Sequence, residues 1–284
     1  MGKYMIITET GADVPAEIAK EYEITIVPMH VLFGTQTRDD GAFPTTDLFD
    51  YYKKTGKLPQ TSGCTPADFT EQFDLLHEKY PDRHILYLAY SAVTTCSYQS
   101  AVIASQNRDY VSYYDTKSVS GAQTMVILGV AKFVRQHPDA TLPAVEAVIT
   151  DLVARIQMGF FPGDLVYLKA GGRVSNMAYL GAQILNLKPL IEIRDGVLIS
   201  TKKYRGSMAA IAPKLLREFT ENHRLEKNIV AFAYSAGLDE GIKRDITDLA
   251  RSLGFQEVLW VETGCVVSTH SGPGAFGVVG FTQK

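Results

Sequence analysis

Short apolar runs alternate with longer amphipathic stretches through the first half of the chain. "YMIIT" (4–8) is apolar, bounded by "TGAD", and reads as a buried strand feeding a helix near Pro15 to Lys20. "ITIVPMHVLF" predicts a second strand, bent at Pro28. "TPADFTEQFDLLHEKY" carries Phe69, Phe73, Leu76 and Tyr80 at helical spacing, with Thr65 as N-cap and Pro66 at the first helical position. "HILYLAY" is a third strand, "SYQSAVIAS" a helix and "YVSYYDT" a fourth strand. The next helix is expected from Gly121 to Gln136, stopped by Pro138. Strand then helix, repeated, predicts a parallel sheet covered on both faces.

The pattern changes in the second half. A helix near Leu142 to Met158 precedes "FFPGD", a turn with Pro and Gly, and the domain boundary is placed there. "LIEIRDGVLIST" reads as two alternating strands joined at Asp195–Gly196. "GSMAAIAPKLLREFTENH" sets Met208, Ile211, Leu215, Leu216 and Phe219 on one stripe. "NIVAFAYS" and "EVLWVE" are strands around another helix, and "CVVSTHSGPGAFGVVGF" reads as strand, glycine-rich turn and last strand. The expected class is α/β, with an N-terminal parallel-sheet α/β/α domain (1–160) and a C-terminal mixed-sheet domain (161–284).

Composition narrows the function. At about 100–200 residues per domain, 284 residues suit two domains. A net charge of −3 argues against an electrostatic grip on nucleic acid. No signal peptide or membrane span is expected: the most apolar run, "TMVILGVAKFV", contains Lys132 and reads as a buried helix. Cys64, Cys96 and Cys265 form no C-x-x-C pair, so a reducing cytoplasm fits. The six histidines show no metal-ligand spacing, and no metal or other cofactor is expected.

Four stretches can carry chemistry. In "LPQTSGCTPADF", Thr61 and Ser62 stand just before a capped helix, where hydroxyls and backbone N–H groups can hold a carboxylate or phosphate; the same residues also serve as turn and capping groups. In "LYLAYSAVTTCSYQSA", a strand ends at Ser91, and Thr94, Thr95, Cys96 and Ser97 crowd a helix start. Open α/β sheets bind ligands beyond the carboxyl ends of strands, and capping needs one hydroxyl rather than four. In "YLKAGGRVSNMAYLG", the Gly pair reads as the mouth of a helix and Arg173 offers a planar fork of donors; alone, it is equally a solvated arginine on a turn. In "VVSTHSGPGAFG", His270 sits among hydroxyls and glycines, as base, phosphate donor or satisfied loop residue. Arg205, in "KKYRGSM", reads as a further cation at a helix start. No G-x-x-x-x-G-K-[ST] or G-x-S-x-G motif occurs.

In this order, "TETGADVP", "TSGCTPADF", "YSAVTTCSYQSA", "YLKAGGRVS" with "LNLKPLIEIRDG", and "THSGPGAFG" resemble the DegV family of bacterial fatty-acid-binding proteins nearly end to end. The resemblance implies two α/β domains holding one long-chain fatty acid between them, tail buried and carboxylate near the surface. It implies a non-catalytic cytoplasmic carrier that presents the carboxylate to a fatty-acid kinase, the acyl-phosphate then feeding phospholipid synthesis. Transient membrane contact and a monomeric state are expected with it. The family's carboxylate-binding hydroxyls map onto Thr61 and Thr95, with Ser62 and Cys96 adjacent. Its phosphate- or kinase-facing groups map onto Arg173, Arg205 and His270. Three departures stand out: Glu9 and Thr10 replace aspartate and serine; Gly63, Cys64 and Thr65 replace Gln-Pro-Ser; and Cys96 replaces a glycine.

The energetics suit a lipid carrier. A chain of ~16 carbons at ~0.8 kcal/mol per buried CH₂ offers on the order of 10 kcal/mol before ordering costs. Two rival readings use the same residues. One is an acyl-transfer enzyme with Cys96 or Cys64 as nucleophile and His270 as base. The other is a regulatory protein that senses lipid without acyl transfer.

Overall fold

The computed structural model describes residues 2–174 and 187–284. The chain opens with β1 (Tyr4–Glu9), a 3-10 turn (Thr10–Ala12), α1 (Ala16–Glu21), β2 (Thr25–Val27), β3 (His30–Phe33) and β4 (Gln36–Asp39). There follow α2 (Thr46–Thr55), β5 (Gln60–Ser62), α3 (Pro66–Lys79), β6 (His84–Ala89), α4 (Ser97–Ala104), β7 (Val111–Asp115), α5 (Ser120–Gln136) and α6 (Leu142–Arg155). The second half comprises β8 (Ile156–Phe161), α7 (Leu165–Gly171), β9 (Leu187–Arg194), β10 (Val197–Arg205), α8 (Met208–Asn222), β11 (Ile229–Tyr234), α9 (Glu240–Ser252), β12 (Glu257–Glu262), α10 (Cys265–Ser271) and β13 (Phe276–Phe281).

Two main sheets result, as the α/β class requires. One is parallel, in the order β2-β1-β6-β7. The other is mixed, in the order β10-β9-β8-β13-β11-β12, with only the β11–β12 pair parallel. A small antiparallel sheet, β4-β3-β5, stands apart. Every residue of β1 is buried, which is why its sequence is a continuous apolar run rather than an alternation. Helix α5 packs against strands of both main sheets and is buried on nearly all sides, which explains "TMVILGVAKFV".

Local signals decide several elements as expected. Thr65 and Asp68 form a reciprocal capping box: the Asp68 N–H donates to Thr65 Oγ1 (3.3 Å) and the Thr65 N–H to Asp68 Oδ2 (2.6 Å). Asp195 (φ 48°) and Gly196 (φ 80°) turn the β9–β10 hairpin in the left-handed conformation that this dipeptide favours.

Elsewhere the tertiary structure overrides the pattern. The stretch 24–33 is two strands in different sheets, parted at Pro28 and Met29. The helix expected to reach Met158 ends at Arg155, and 156–161 is the central strand β8, so a boundary at 160/161 falls inside a strand of the mixed sheet. Adjacent buried residues such as Met158 and Gly159 leave no alternation there. The expected strand at Cys265 is the helix α10. Its β-branched residues favour a strand, but Asp13 Oδ1 accepts from the Gly264 N–H (2.7 Å), and the two Asp40 oxygens accept from Cys265 and Val266 (2.8 and 3.3 Å). Two carboxylates thus satisfy the orphan donors of the first turn. Helices α2 and α7 and the small sheet are additional to the sequence reading. Gly171 and Gly172 close α7, with Gly172 in the left-handed C-cap conformation (φ 62°), rather than opening a helix; any helix beyond them falls on 175–186, outside the described residues.

Candidate functional site

A narrow cavity lies between the two main sheets. It holds about 880 Å³ of atom-free space, mouth included. One part of its wall is apolar: Val119, Met158, Phe160, Leu168, Leu198, Ala233 and Phe276. Another part is polar and comes from segments far apart in sequence: Thr61 and Ser62 on β5, Thr94 and Thr95 after β6, Arg173 after α7, and His270 and Ser271 on α10.

The polar groups touch one another. Thr61 Oγ1 and His270 Nε2 share a hydrogen bond of 2.9 Å across 209 residues of sequence. The other ring nitrogen, Nδ1, has no hydrogen-bond partner among the described residues, and neither has the buried Ser271 hydroxyl. Gly171 is required here, because a Cβ at that position would stand 2.3 Å from His270 Nδ1. Arg173 donates from Nη1 to the Gly171 carbonyl (2.6 Å), which holds its guanidinium at the same wall. Burial, and next the Arg173 charge, push the His270 pKa down to about 4, so the imidazole is neutral near pH 7.

The serine- and threonine-rich helix start is less available than its composition suggests. Thr94 donates to the Ser91 carbonyl (2.8 Å), and Ser97 accepts from the Cys64 N–H (3.1 Å). Thr95 Oγ1 stays at the cavity wall, 3.3 Å from Ser97 Oγ. A Cβ at Gly63 would lie 2.5 Å from Thr95 Oγ1 and 3.1 Å from Cys96 Sγ, so the glycine at 63 makes room for the side chains at 95 and 96. Cys96 itself has ordinary right-handed backbone (φ −82°) that needs no glycine. The two departures from the family pattern at 63 and 96 are therefore spatial neighbours and sterically matched.

The opening motif acts behind the wall. The buried Glu9 carboxylate accepts from the Tyr90 N–H, and Thr10 Oγ1 accepts from the Met29 N–H (2.9 Å); Tyr90 and Met29 both line the cavity. Burial raises the Glu9 carboxyl to about 7. Asp13 and Asp40 anchor α10, the helix that carries His270. Burial raises both of their pKa values. Asp40 had no signal in the sequence, since the Asp39–Asp40 pair in a polar stretch looks like solvated charge.

Other candidates lie elsewhere. Arg205 is exposed, at the last position of β10 rather than at a helix start, and is not part of the cavity wall. It stands seven residues, roughly 23 Å, along β10 from the lining residue Leu198. Cys96 is exposed and Cys64 is buried, and neither lines the cavity. The Cys64 thiol points at the Pro28 carbonyl (3.4 Å), and burial pushes its pKa far up, the reverse of an activated nucleophile. Among the described residues no group of three or more His, Cys, Asp or Glu could hold a metal, and no helix is long and apolar enough to cross a membrane.

A profile described as "Uncharacterised protein, DegV family" matches residues 3–283. The chain belongs to the DegV family. Among its DegV relatives, a "Fatty acid-binding protein" of Thermotoga maritima is 26% identical over 284 residues, covering 97% of this chain and 96% of its own. A DegV domain-containing protein of Caldanaerobacter subterraneus is 25% identical over 288 residues, covering both chains in full. Among solved structures, a fatty-acid-binding DegV protein from Thermus thermophilus superposes with a TM-score of 0.88 at 23% identity, over 99% of this chain and 100% of its own. A stearic acid-binding protein from Eubacterium ventriosum gives 0.81 at 22% identity, over 98% of each chain. At these identities the superpositions establish the DegV fold for this chain.

Proposed function

We propose that this DegV chain carries one long-chain fatty acid, with its tail against the apolar wall and its carboxylate at the Thr61–His270 cluster. The observation that carries this reading is the narrow cavity itself, apolar along one part and ending on hydroxyls and a neutral imidazole. Relatives named for fatty-acid binding support it. Thr61 and Thr95 hold the carboxylate, Ser62 lines the wall beside them, the exposed Cys96 follows Thr95 just outside the wall, and Arg173 supplies charge. Affinity comes from the tail, and the head group is oriented by neutral donors. The ligand lies between an N-terminal and a C-terminal domain, with all of β8 (Ile156–Phe161) on the C-terminal side of the division.

The chain is then a cytoplasmic, substrate-presenting subunit rather than a catalyst. A fatty-acid kinase phosphorylates the exposed carboxylate, and the acyl-phosphate passes to phospholipid synthesis. Arg173 and His270 face the phosphorylated head, and Arg205 faces the partner. Mass spectrometry of the organic extract from denatured protein tests binding: one fatty acid per chain is expected, and no acid, with no rebinding of oleate or palmitate, overturns the reading. With a cognate kinase and ATP, Arg173→Ala is expected to keep the fatty acid but lose phosphoryl transfer; unchanged turnover removes Arg173 from that role.

A further inference from the structure

We propose that Met158 is the gate that limits acyl-chain length, closing the cavity against an outer groove into which longer tails extend. This rests on the fatty-acid reading above. The register of β8 against β13 orders the wall. Phe161 faces Phe276, Phe160 faces Gly277, and Met158 faces Val279. The chain enters β13 from the His270–Ser271 end of α10, so Met158 stands two residues, roughly 6–7 Å, deeper than Phe160. Strand alternation turns Met158 and Phe160 to the cavity, while the intervening Gly159 packs under Phe219 and Leu190 on the opposite face.

Behind Met158 runs a wider, open groove between α6, β7 and the β9–β10 hairpin, with Ile149, Val153, Ile156 and Ile193 in its wall. Met158 lines both the cavity and this groove. The partition continues at the start of α5, where Val119 and Ser120 face the cavity and Ser118 and Ala122 the groove. The wall is therefore one side chain thick at Met158, which is itself only 5% exposed. An unbranched thioether with three rotatable bonds suits a plug that a long tail can displace. The groove's aliphatic side chains would take the terminal methylenes.

The test measures affinities of delipidated protein for saturated fatty acids lengthened two carbons at a time. For wild type, affinity should rise with length and then break off at a cut-off. Met158→Ala should move that cut-off to longer acids, with a gain of about tenfold or more for acids two carbons past the wild-type limit. Met158→Phe should shorten it, and reads the gate independently if the alanine variant fails to fold. An unchanged cut-off in folded variants that still bind overturns the gate alone. Failure of wild type to bind any acid overturns the fatty-acid reading and the gate with it.

Discussion

The polar end of the cavity is built from the short strand β5, loops and a seven-residue helix, the apolar end mainly from strands of a six-stranded sheet, with Leu168 of α7 and the start of a buried helix. At the polar end Thr94, Thr95 and Arg173 are held by hydrogen bonds to residues two or three positions away, and Thr61 and His270 by one bond across 209 residues. His270 depends on Thr61, on the absent side chain of Gly171, and on the aspartates that start α10. At the apolar end Phe160, Leu198 and Phe276 sit in register with neighbours on ordinary ladders. The contrast separates two tasks. Non-directional apolar contact sums with length and supplies affinity, whereas directional donors fix where a head group points and cost much when one is misplaced.

The largest effect should come from breaking the apolar end. Leu198→Asp, on the edge strand of the sheet, is expected to weaken fatty-acid binding by roughly 100-fold or more, because a carboxylate would be buried beside the tail. Displacement of a fluorescent fatty acid measures it, with circular dichroism to confirm the fold; a loss of less than about threefold would show that the tail lies elsewhere. Gly171→Ala should come next. Its Cβ would push the His270 ring from Thr61, and about tenfold weaker binding is expected. Adding His270→Ala to it should cost little more, and fully additive losses would separate the two positions. Thr61→Val removes one neutral hydrogen-bonding group, so roughly fivefold weaker binding with unchanged chain-length preference is expected. A changed preference would mean that the two ends are not independent.

The smallest effect concerns protons. His270 titrates near 4 in the folded chain, below the ordinary histidine value near 6.5. The unfolded chain therefore binds the proton first as pH falls, and stability attributable to His270 is lost between about 6.5 and 4. Buried Glu9, whose carboxyl burial raises to about 7, acts in the opposite sense over the same range, so the His270 contribution is read as a difference: the denaturation midpoint of His270→Gln relative to wild type should rise as pH falls from about 6.5 to 4, and a constant difference would remove His270 from this role. A bound carboxylate should raise the His270 pKa, visible in its ring proton shifts; a titration indifferent to ligand would place the carboxylate away from the ring.

Legibility followed locality. The β9–β10 hairpin, the capped helix α3 and the amphipathic helix α8 each depend on side chains within a few residues, and their signals read correctly. Helix α10 read as a strand because its stabilising carboxylates are more than two hundred residues away. Strand β8 read as the end of a helix followed by a turn, because adjacent buried residues such as Met158 and Gly159 leave no alternation. Thr61 and Thr95, as hydroxyls before helix starts, and Arg173 and His270, beside glycines, are recognisable in the sequence, and the structure brings them to one wall. Arg205, singled out on the same grounds, lies well away from that wall.

By itself the sequence determined the α/β class, the parallel and mixed halves, and the family, since periodicity, caps and turn dipeptides act over short spans. Only the tertiary structure decided that Thr61 meets His270, that Gly63 makes room for Thr95 and Cys96, and that Met158 stands between cavity and groove. An apolar residue lining a cavity has the same composition and period as one filling a core. What separates them is the space left on the other side, and that is set by how two sheets and one buried helix pack together.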